Sequence, residues 1–221
     1  MATGVGREDS TWIVWSSVFL VLSGVSIPVY FPFLKSRQQK EKKALWLSWE
    51  RVAKFLGLRF YMPEQNTSFP SISGVFKNHS VSITSHTETR GASTKEVYYT
   101  KFHIPIANAE EFYFSLRDTD MSESEDSFFQ NRICFLSNNH ALEERFIIKT
   151  NQENHASFLL NDSKLARMYT ELPLCMLEIS GQSFTLTFPS QELTENRTKF
   201  ILDFSVAFVQ TLTGKTFLRV A

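Results

Sequence analysis

The stretch Cys175–Phe188, CMLEISGQSFTLTF, settles the class of fold. Cys175, Leu177 and Ile179 alternate with other residues, and so do Phe184, Leu186 and Phe188. Period-two alternation on both sides of a short polar break is the pattern of a β-hairpin. Ser180 and Gly181 supply the expected turn, because glycine accepts a positive φ without a steric penalty. A hairpin with one apolar face needs something to cover that face. The flanking segments offer it. Upstream, NHASFLL and DSKLARMYTEL read as helices, with Asp162 placed to cap the second and Leu165, Met168, Tyr169 and Leu172 on its apolar side. Downstream, TENRTKFILDFSVAFVQTLTG reads as a helix. Phe200, Phe204 and Phe208 recur at i, i+4, i+8, and Gly214 is the expected stop.

Further upstream the period is again two. SISGVFKNHSVSIT places Val81 and Ile83 on one face after a turn near Asn78. EVYYTKFHIPI places Tyr98, Thr100, Phe102, Ile104 and Ile106 together, and EFYFSL does the same with Phe112, Phe114 and Leu116. Three such runs in succession predict an antiparallel meander with one face on a core and one wet. RDTDMSESEDS, residues 117–127, is read as an acidic loop. FFQNRICFL and ERFIIKT return to strand character. ALWLSWERVAKFLG, residues 44–57, is an amphipathic helix with Leu45, Trp49, Val52 and Leu56 on one side and Gly57 as its cap. The expected fold is α+β, an antiparallel sheet covered by helices. RVAKFLGL before SISGVF echoes KLARMYTEL before EISGQSF, which points to two related helix-plus-hairpin halves.

The N-terminus differs in kind. After a short tail, residues 1–10, the 24 residues Thr11–Leu34 carry no charge. That length is enough to cross a bilayer whose hydrocarbon is about 30 Å thick. Trp12, Trp15 and Tyr30 sit near its ends, where amphipathic rings anchor at the headgroup level. A secretory signal peptide is a poorer reading. The segment has no basic n-region, it is too long, and no small-residue cleavage site follows it. Residues 35–43 then bring Lys35, Arg37, Lys40, Lys42 and Lys43 against Glu41. Basic flanks stay in the cytoplasm, so the expected topology is single-pass, with the N-terminus outside and residues 44–221 in the cytoplasm. The same five cations are candidates for contact with anionic lipid.

The whole chain balances 23 basic against 23 acidic residues. Residues 1–10 carry net −1 (Arg7 against Glu8 and Asp9) and residues 35–43 carry net +4, which leaves −3 for the remainder. A weakly acidic domain has little with which to neutralise phosphates, so nucleic acid is set aside as a partner. Cys134 and Cys175 are two isolated thiols and define neither a disulfide framework nor a zinc site. Asn66, Asn78, Asn161 and Asn196 open N-x-S/T triplets, which matter only in a secretory lumen.

No catalytic or metal motif stands out. His79, His86, His103, His140 and His155 lack metal-ligand spacing, and His79 and His86, seven apart on a strand, face opposite ways. No phosphate-cradling glycine pattern and no G-x-S-x-G occurs. Cys175 with His155 is a conceivable thiol–base pair, but Cys175 shares an apolar face and a nucleophile needs an accessible, electropositive setting. Glu143, Glu144 and Arg145 form a candidate cluster, with a surface ion pair between Arg145 and Glu144 as its plainer reading. No catalytic, cofactor or metal residue is assigned, and no cofactor is expected.

The order of these motifs carries a resemblance: an N-terminal span, WxxVAxxLGL, P-x-I-S-G-x-F-K-x-x-x-V-x-I, Y-x-T-x-F-x-I, E-R-F-x-I, then helix, hairpin and Phe-rich helix. It resembles an uncharacterised family of bacterial, notably cyanobacterial, single-span membrane-anchored proteins of unknown function. The resemblance covers most of residues 44–214. Its shared positions are glycines and apolar residues, which imply fold and not chemistry. Members place aspartate where Glu144 stands, so no catalytic role carries over.

Three functions follow as expectations. The first is a membrane-anchored, non-catalytic protein-interaction module, an accessory or assembly subunit with a membrane or cytoplasmic protein partner. It would show an exposed apolar patch. The second is a domain that binds lipid or another hydrophobic ligand at the bilayer surface. Its 21 phenylalanines, three of them in the uncharged span, would line a cavity of roughly 300–1,000 Å³ between sheet and helices. The third is an enzyme with a site around His140, Glu143 and Glu144.

Overall fold

Gly57 ends the first helix, α1 (42–56), as the sequence predicts. It takes φ +69°, the Leu58 N–H donates to the Ala53 carbonyl at 2.8 Å, and the Gly57 N–H donates to Lys54 at 3.3 Å. This pair of bonds closes carbonyls that the helix terminus would leave open. Trp49, Val52 and Ala53 are its buried side. The computed structural model describes residues 40, 42–62, 69–89, 96–107, 111–121, 133–134, 140–190 and 192–216. The uncharged segment 11–34 with Trp12, Trp15 and Tyr30, and the cations Lys35 and Arg37, lie outside them. Among the described residues no helix is long and apolar enough to cross a membrane. Residues 46–221 contain one compact unit.

That unit is built on strands β1 (Arg59–Tyr61), β2 (Ser71–Phe76), β3 (His79–Thr89), β4 (Glu96–Pro105), β5 (Phe114–Asp118), β6 (Ile133–Cys134), β7 (Phe146–Thr150), β8 (Met176–Ser180) and β9 (Ser183–Phe188). Helices α2 (His140–Arg145), α3 (Glu153–Asn161), α4 (Ser163–Glu171) and α5 (Glu195–Thr216) complete it. The strands form one sheet in the order β1-β2-β3-β4-β9-β8-β5-β7-β6, and every pairing is antiparallel. The α+β class and the antiparallel sheet agree with the sequence reading.

Register explains the core. One row runs straight across seven strands: Ile72, Ile83, Phe102, Leu186, Leu177, Leu116 and Ile148. All seven are buried. A second row runs Ile104, Phe184, Ile179, Phe114. The opposite face carries Ser73, Ser82, His103, Thr185, Glu178, Ser115 and Lys149 in register. Helix α5 meets the apolar face through rings: Phe208 lies 6.0 Å from Phe114 and 5.2 Å from Phe184, and Phe204 lies 5.4 Å from Tyr169. Each fully buried ring of this kind contributes about 1.5–3 kcal/mol. Asp162 caps α4 as expected, accepting from the backbone N–H of Lys164 and Leu165.

Four expectations need correction. The meander β2-β3-β4 forms, but EFYFSL is not its next strand: β9 and β8 fill the place beside β4, and β5 pairs with β8 and β7. The hairpin turn is Gly181–Gln182, because Ser180 and Ser183 still pair. Gly214 does not stop α5, which continues to Thr216; among the described residues the positive-φ glycines are Gly57, Gly74 and Gly181. The acidic stretch begins later than residue 117, since Arg117 and Asp118 belong to β5, while residues 122–127 lie outside the description.

The two helix-plus-hairpin units are not copies in space. Strands β2 and β8 run in the same direction, yet β3 and β9 lie on opposite sides of them when both are viewed from the apolar face. The closing pair Phe76–His79 has the parity of the core face, whereas Ser180–Ser183 has the parity of the other face. No rotation superposes hairpins of opposite hand. The two I-S-G triplets also differ in role. Gly181 makes a turn at φ +56°, whereas Gly74 is mid-strand, where an added Cβ would come 3.0 Å from a Leu58 methyl.

Candidate functional site

At one end of the sheet, the chain entering β5 runs beside the β8–β9 turn. Between them lies an open cleft of about 440 Å³, lined by Glu111, Phe112, Tyr113, Asn151, Ser180, Gly181 and Gln182. Its floor is held by one side chain. Asn151 Oδ1 accepts from the Tyr113 N–H at 2.7 Å, and Asn151 Nδ2 donates to the Glu111 carbonyl at 2.9 Å. The Asn151 N–H donates to the Tyr113 carbonyl, which also accepts from the Thr150 hydroxyl at 2.9 Å. Glu111 is held at φ +51°, a conformation that costs a residue with a Cβ about 1–2 kcal/mol. The surrounding bonds over-determine that conformation. Behind the cleft, Phe112 packs on the His155 ring at 5.5 Å. The lining is mixed: aromatic at Phe112 and Tyr113, polar at Glu111, Asn151, Ser180 and Gln182. Such a surface suits a molecule with an apolar part and a hydrogen-bonding head.

Among the described residues, the region between sheet and α5, where the second functional expectation put a cavity, is filled by Phe114, Phe184, Phe204 and Phe208, all fully buried. A crevice beside Thr198 and Thr100, at the start of α5, is only water-sized, at about 10 Å³.

The charged cluster assembles differently from the sequence reading. Arg145 does not pair with Glu144, which is exposed. Its guanidinium donates to Asp118 Oδ2 at 3.0 Å, to the carbonyls of Tyr169 and Thr170 at 3.1 and 3.4 Å, and to that of Leu172. It also lies 4.6 Å from the centre of the Phe146 ring. Arg145 thus neutralises the open carbonyls at the C-terminus of α4 and ties that helix to β5. In sequence Asp118 gives no sign of this partnership, because it opens an acidic run that has the composition of a loop. Glu143 is half-buried, with one carboxylate oxygen enclosed and without a hydrogen bond. Arg145 is thus engaged by Asp118 and the end of α4, while Glu144 stands exposed.

Cys175 sits beneath this node and is fully buried. Burial pushes its thiol up to about 12; Asp118 adds to this and Arg145 opposes it. A thiol so protonated is not a nucleophile at neutral pH. Tyr169 is also fully buried, and desolvation raises its hydroxyl above the ordinary value, with Asp162 and Cys175 adding to the shift. His79 pairs with Phe76 in register, and His86 stacks on Tyr99 at 5.5 Å on the other face. His103 stands 3.5 Å from the Ser82 hydroxyl, its pKa lowered first by desolvation and then by Lys101. His140 opens α2. Among the described residues no three histidine, cysteine or carboxylate groups come together as a metal site. Lys42 and Lys43 stand at the start of α1, and they and Lys40 are exposed.

No family model matches the sequence, and no curated protein matches it. Among solved structures, the chain is similar to the mycobacterial trehalose monomycolate transport factor A, TtfA. The TM-score is 0.54 at 12% identity, over 76% of this chain and 94% of that one. At that identity the likeness is one of fold.

Proposed function

We propose that this chain is a membrane-tethered, non-catalytic domain that binds a lipid or similar amphiphile at the bilayer surface. The fold likeness to a trehalose monomycolate transport factor, over 94% of that chain, is the observation that carries the reading. The uncharged segment 11–34 serves as the tether, with the N-terminus outside and the folded domain on the cytoplasmic side. The family resemblance belongs to the same reading. Phe114, Phe184, Phe204 and Phe208 fill the space between the sheet and α5, so the ligand is placed outside it. It sits in the cleft at Phe112, Tyr113, Asn151 and Gln182, whose size falls in the small-molecule range of roughly 300–1,000 Å³. The cleft takes a head group and the adjoining part of a chain, and the rest of the lipid stays in the membrane or with the next carrier. A protein-interaction module is the second reading. It draws on exposed Val75 and Tyr61, but among the described residues nothing specifies a partner's chemistry.

The test is titration of full-length protein in mild detergent with a fluorescent phospholipid. Saturable binding is expected for the native sequence. Gln182→Trp, which fills the cleft, is expected to weaken it at least about tenfold, a loss of roughly 1.4 kcal/mol. Glu171→Trp, at the exposed end of α4, should leave it unchanged. Unsaturable binding, or equal binding by the Gln182 variant, would reject the cleft as the site.

A further inference from the structure

The stretch from Trp46 to Met62 carries four large apolar side chains that the fold leaves outside: Leu47, Phe55, Tyr61 and Met62. Two of them lie on the outer arc of α1, Leu47 58% exposed and Phe55 52%, while Trp49, Val52 and Ala53 are its buried side. At 100° per residue Lys54 falls about 20° to one side of Leu47, and Arg51 about 40° and Phe55 about 80° to the other, an arc about 100° wide whose two cations are also exposed. Over residues 46–62 three cations, Arg51, Lys54 and Arg59, stand against one acid, Glu50. A helix whose core face is already satisfied gains nothing in water from further apolar residues interleaved with cations. That composition is favourable where an apolar medium meets a negatively charged surface.

The chemistry of the partner follows from both the apolar and the charged residues of this arc. A protein groove could accept Leu47 and Phe55, but the intervening Arg51 and Lys54 would lose water without a stated counter-charge. An anionic leaflet receives both at once, with rings and methyls below the phosphates and ammonium and guanidinium groups among them. In sequence the arc begins only thirteen residues beyond Leu34, the end of the uncharged segment, after a further basic run. From Leu47, Arg51, Lys54 and Phe55 we infer that the outer side of α1 lies in the headgroup layer of an anionic bilayer. It would orient the domain there as well as tether it. This rests on the membrane tether proposed above, but not on the cleft.

The test uses full-length protein in lipid nanodiscs, of phosphatidylcholine alone or with phosphatidylglycerol. Nitroxide labels are placed at Leu47→Cys, Phe55→Cys and, as a solvent reference, Glu171→Cys, in a Cys134→Ser background. Buried Cys175 is left in place. The readout is collision with oxygen, which favours lipid, against a water-soluble nickel complex. In anionic discs the oxygen-to-nickel ratio at 47 and 55 is expected to exceed that at 171 several-fold. It should fall to the reference value in Arg51→Glu/Lys54→Glu or at high salt. Ratios at 47 and 55 equal to that at 171 in anionic discs would overturn the inference. Because the cleft is untouched, phospholipid titration of the same charge-reversed variant separates this failure from failure of the binding reading.

Discussion

The same residue type does opposite work at the two ends of this domain. In α5, Phe204 and Phe208 are fully enclosed and meet rings from β5, β9 and α4. In α1, Phe55 is half in water. Both helices have an apolar side that is satisfied, but α1 has apolar residues left over. The difference lies in the neighbours. Leu202 and Ala207 extend the buried side of α5, whereas Arg51 and Lys54 accompany Phe55. Apolar area that buries itself stabilises the fold, and apolar area that does not is available to a partner or a membrane.

The largest expected effect tests that contrast directly. Phe208→Ala should cost about 3–5 kcal/mol, as deletion of an enclosed ring leaves a cavity. Phe55→Ala should stay within about 0.5 kcal/mol, as an exposed position with no enclosed contacts does. Urea unfolding in detergent reads both, and equal losses would erase the distinction. Next comes Arg145→Met, expected to cost about 2–4 kcal/mol. It leaves Asp118, whose side chain is 5% exposed, without its cation and reopens the α4 carbonyls. Adding Asp118→Asn should recover part of the loss. If Arg145→Met alone costs under about 0.5 kcal/mol, the node is ornamental.

Gly74→Ala sharpens the comparison from the N-terminal side, where the β2 backbone must pass close to Leu58. A loss of about 1–2 kcal/mol is expected, larger than for Gly181→Ala, where φ is positive but the space is open. The smallest effect is that of pH on the link between α5 and the β2–β3 turn. Partial burial pushes the Asp203 carboxyl up, yet hydrogen bonds from Lys77 and Lys199 and their charges hold it below its ordinary value of 3.8. Its folded pKa is therefore depressed. The contribution is full above the unfolded value and is lost as pH falls below about 4 through the folded one. With Lys77 and Lys199 more than half exposed, the change should be under about 1 kcal/mol. Acid titration of native protein against Asp203→Asn measures it, and identical curves would remove the link.

Local patterns in the sequence carried most of the elements. Leu177 and Ile179 against Phe184 and Leu186 specify a hairpin because the side-chain period is two, and Gly57 and Asp162 mark helix ends by backbone chemistry. What stayed hidden is non-local. Nothing in EFYFSL says that β9 and β8 come between it and β4, since strand order depends on which edge a later hairpin finds free. Arg145 meets Asp118 across 27 residues of sequence, and an acidic run disguised the aspartate as loop. The cleft is harder still. It arises from Asn151 reaching back to Glu111 and Tyr113, and a lone Asn-Gln pair after a strand carries no distinguishing signal. Between the sheet and α5 the expected cavity does not form among the described residues, for a plain reason: Phe114, Phe184, Phe204 and Phe208 pack on one another and fill the space they enclose.

The most direct measurement is photocrosslinking of full-length protein in its native membrane with a phospholipid that carries a diazirine near its head group. Peptide mapping by mass spectrometry follows. Ligand binding in the cleft predicts adducts on peptides containing residues 111–113, 151 and 180–182, diminished by unlabelled lipid and by Gln182→Trp. Adducts confined to residues 11–43, with none at the cleft, would contradict the proposed function.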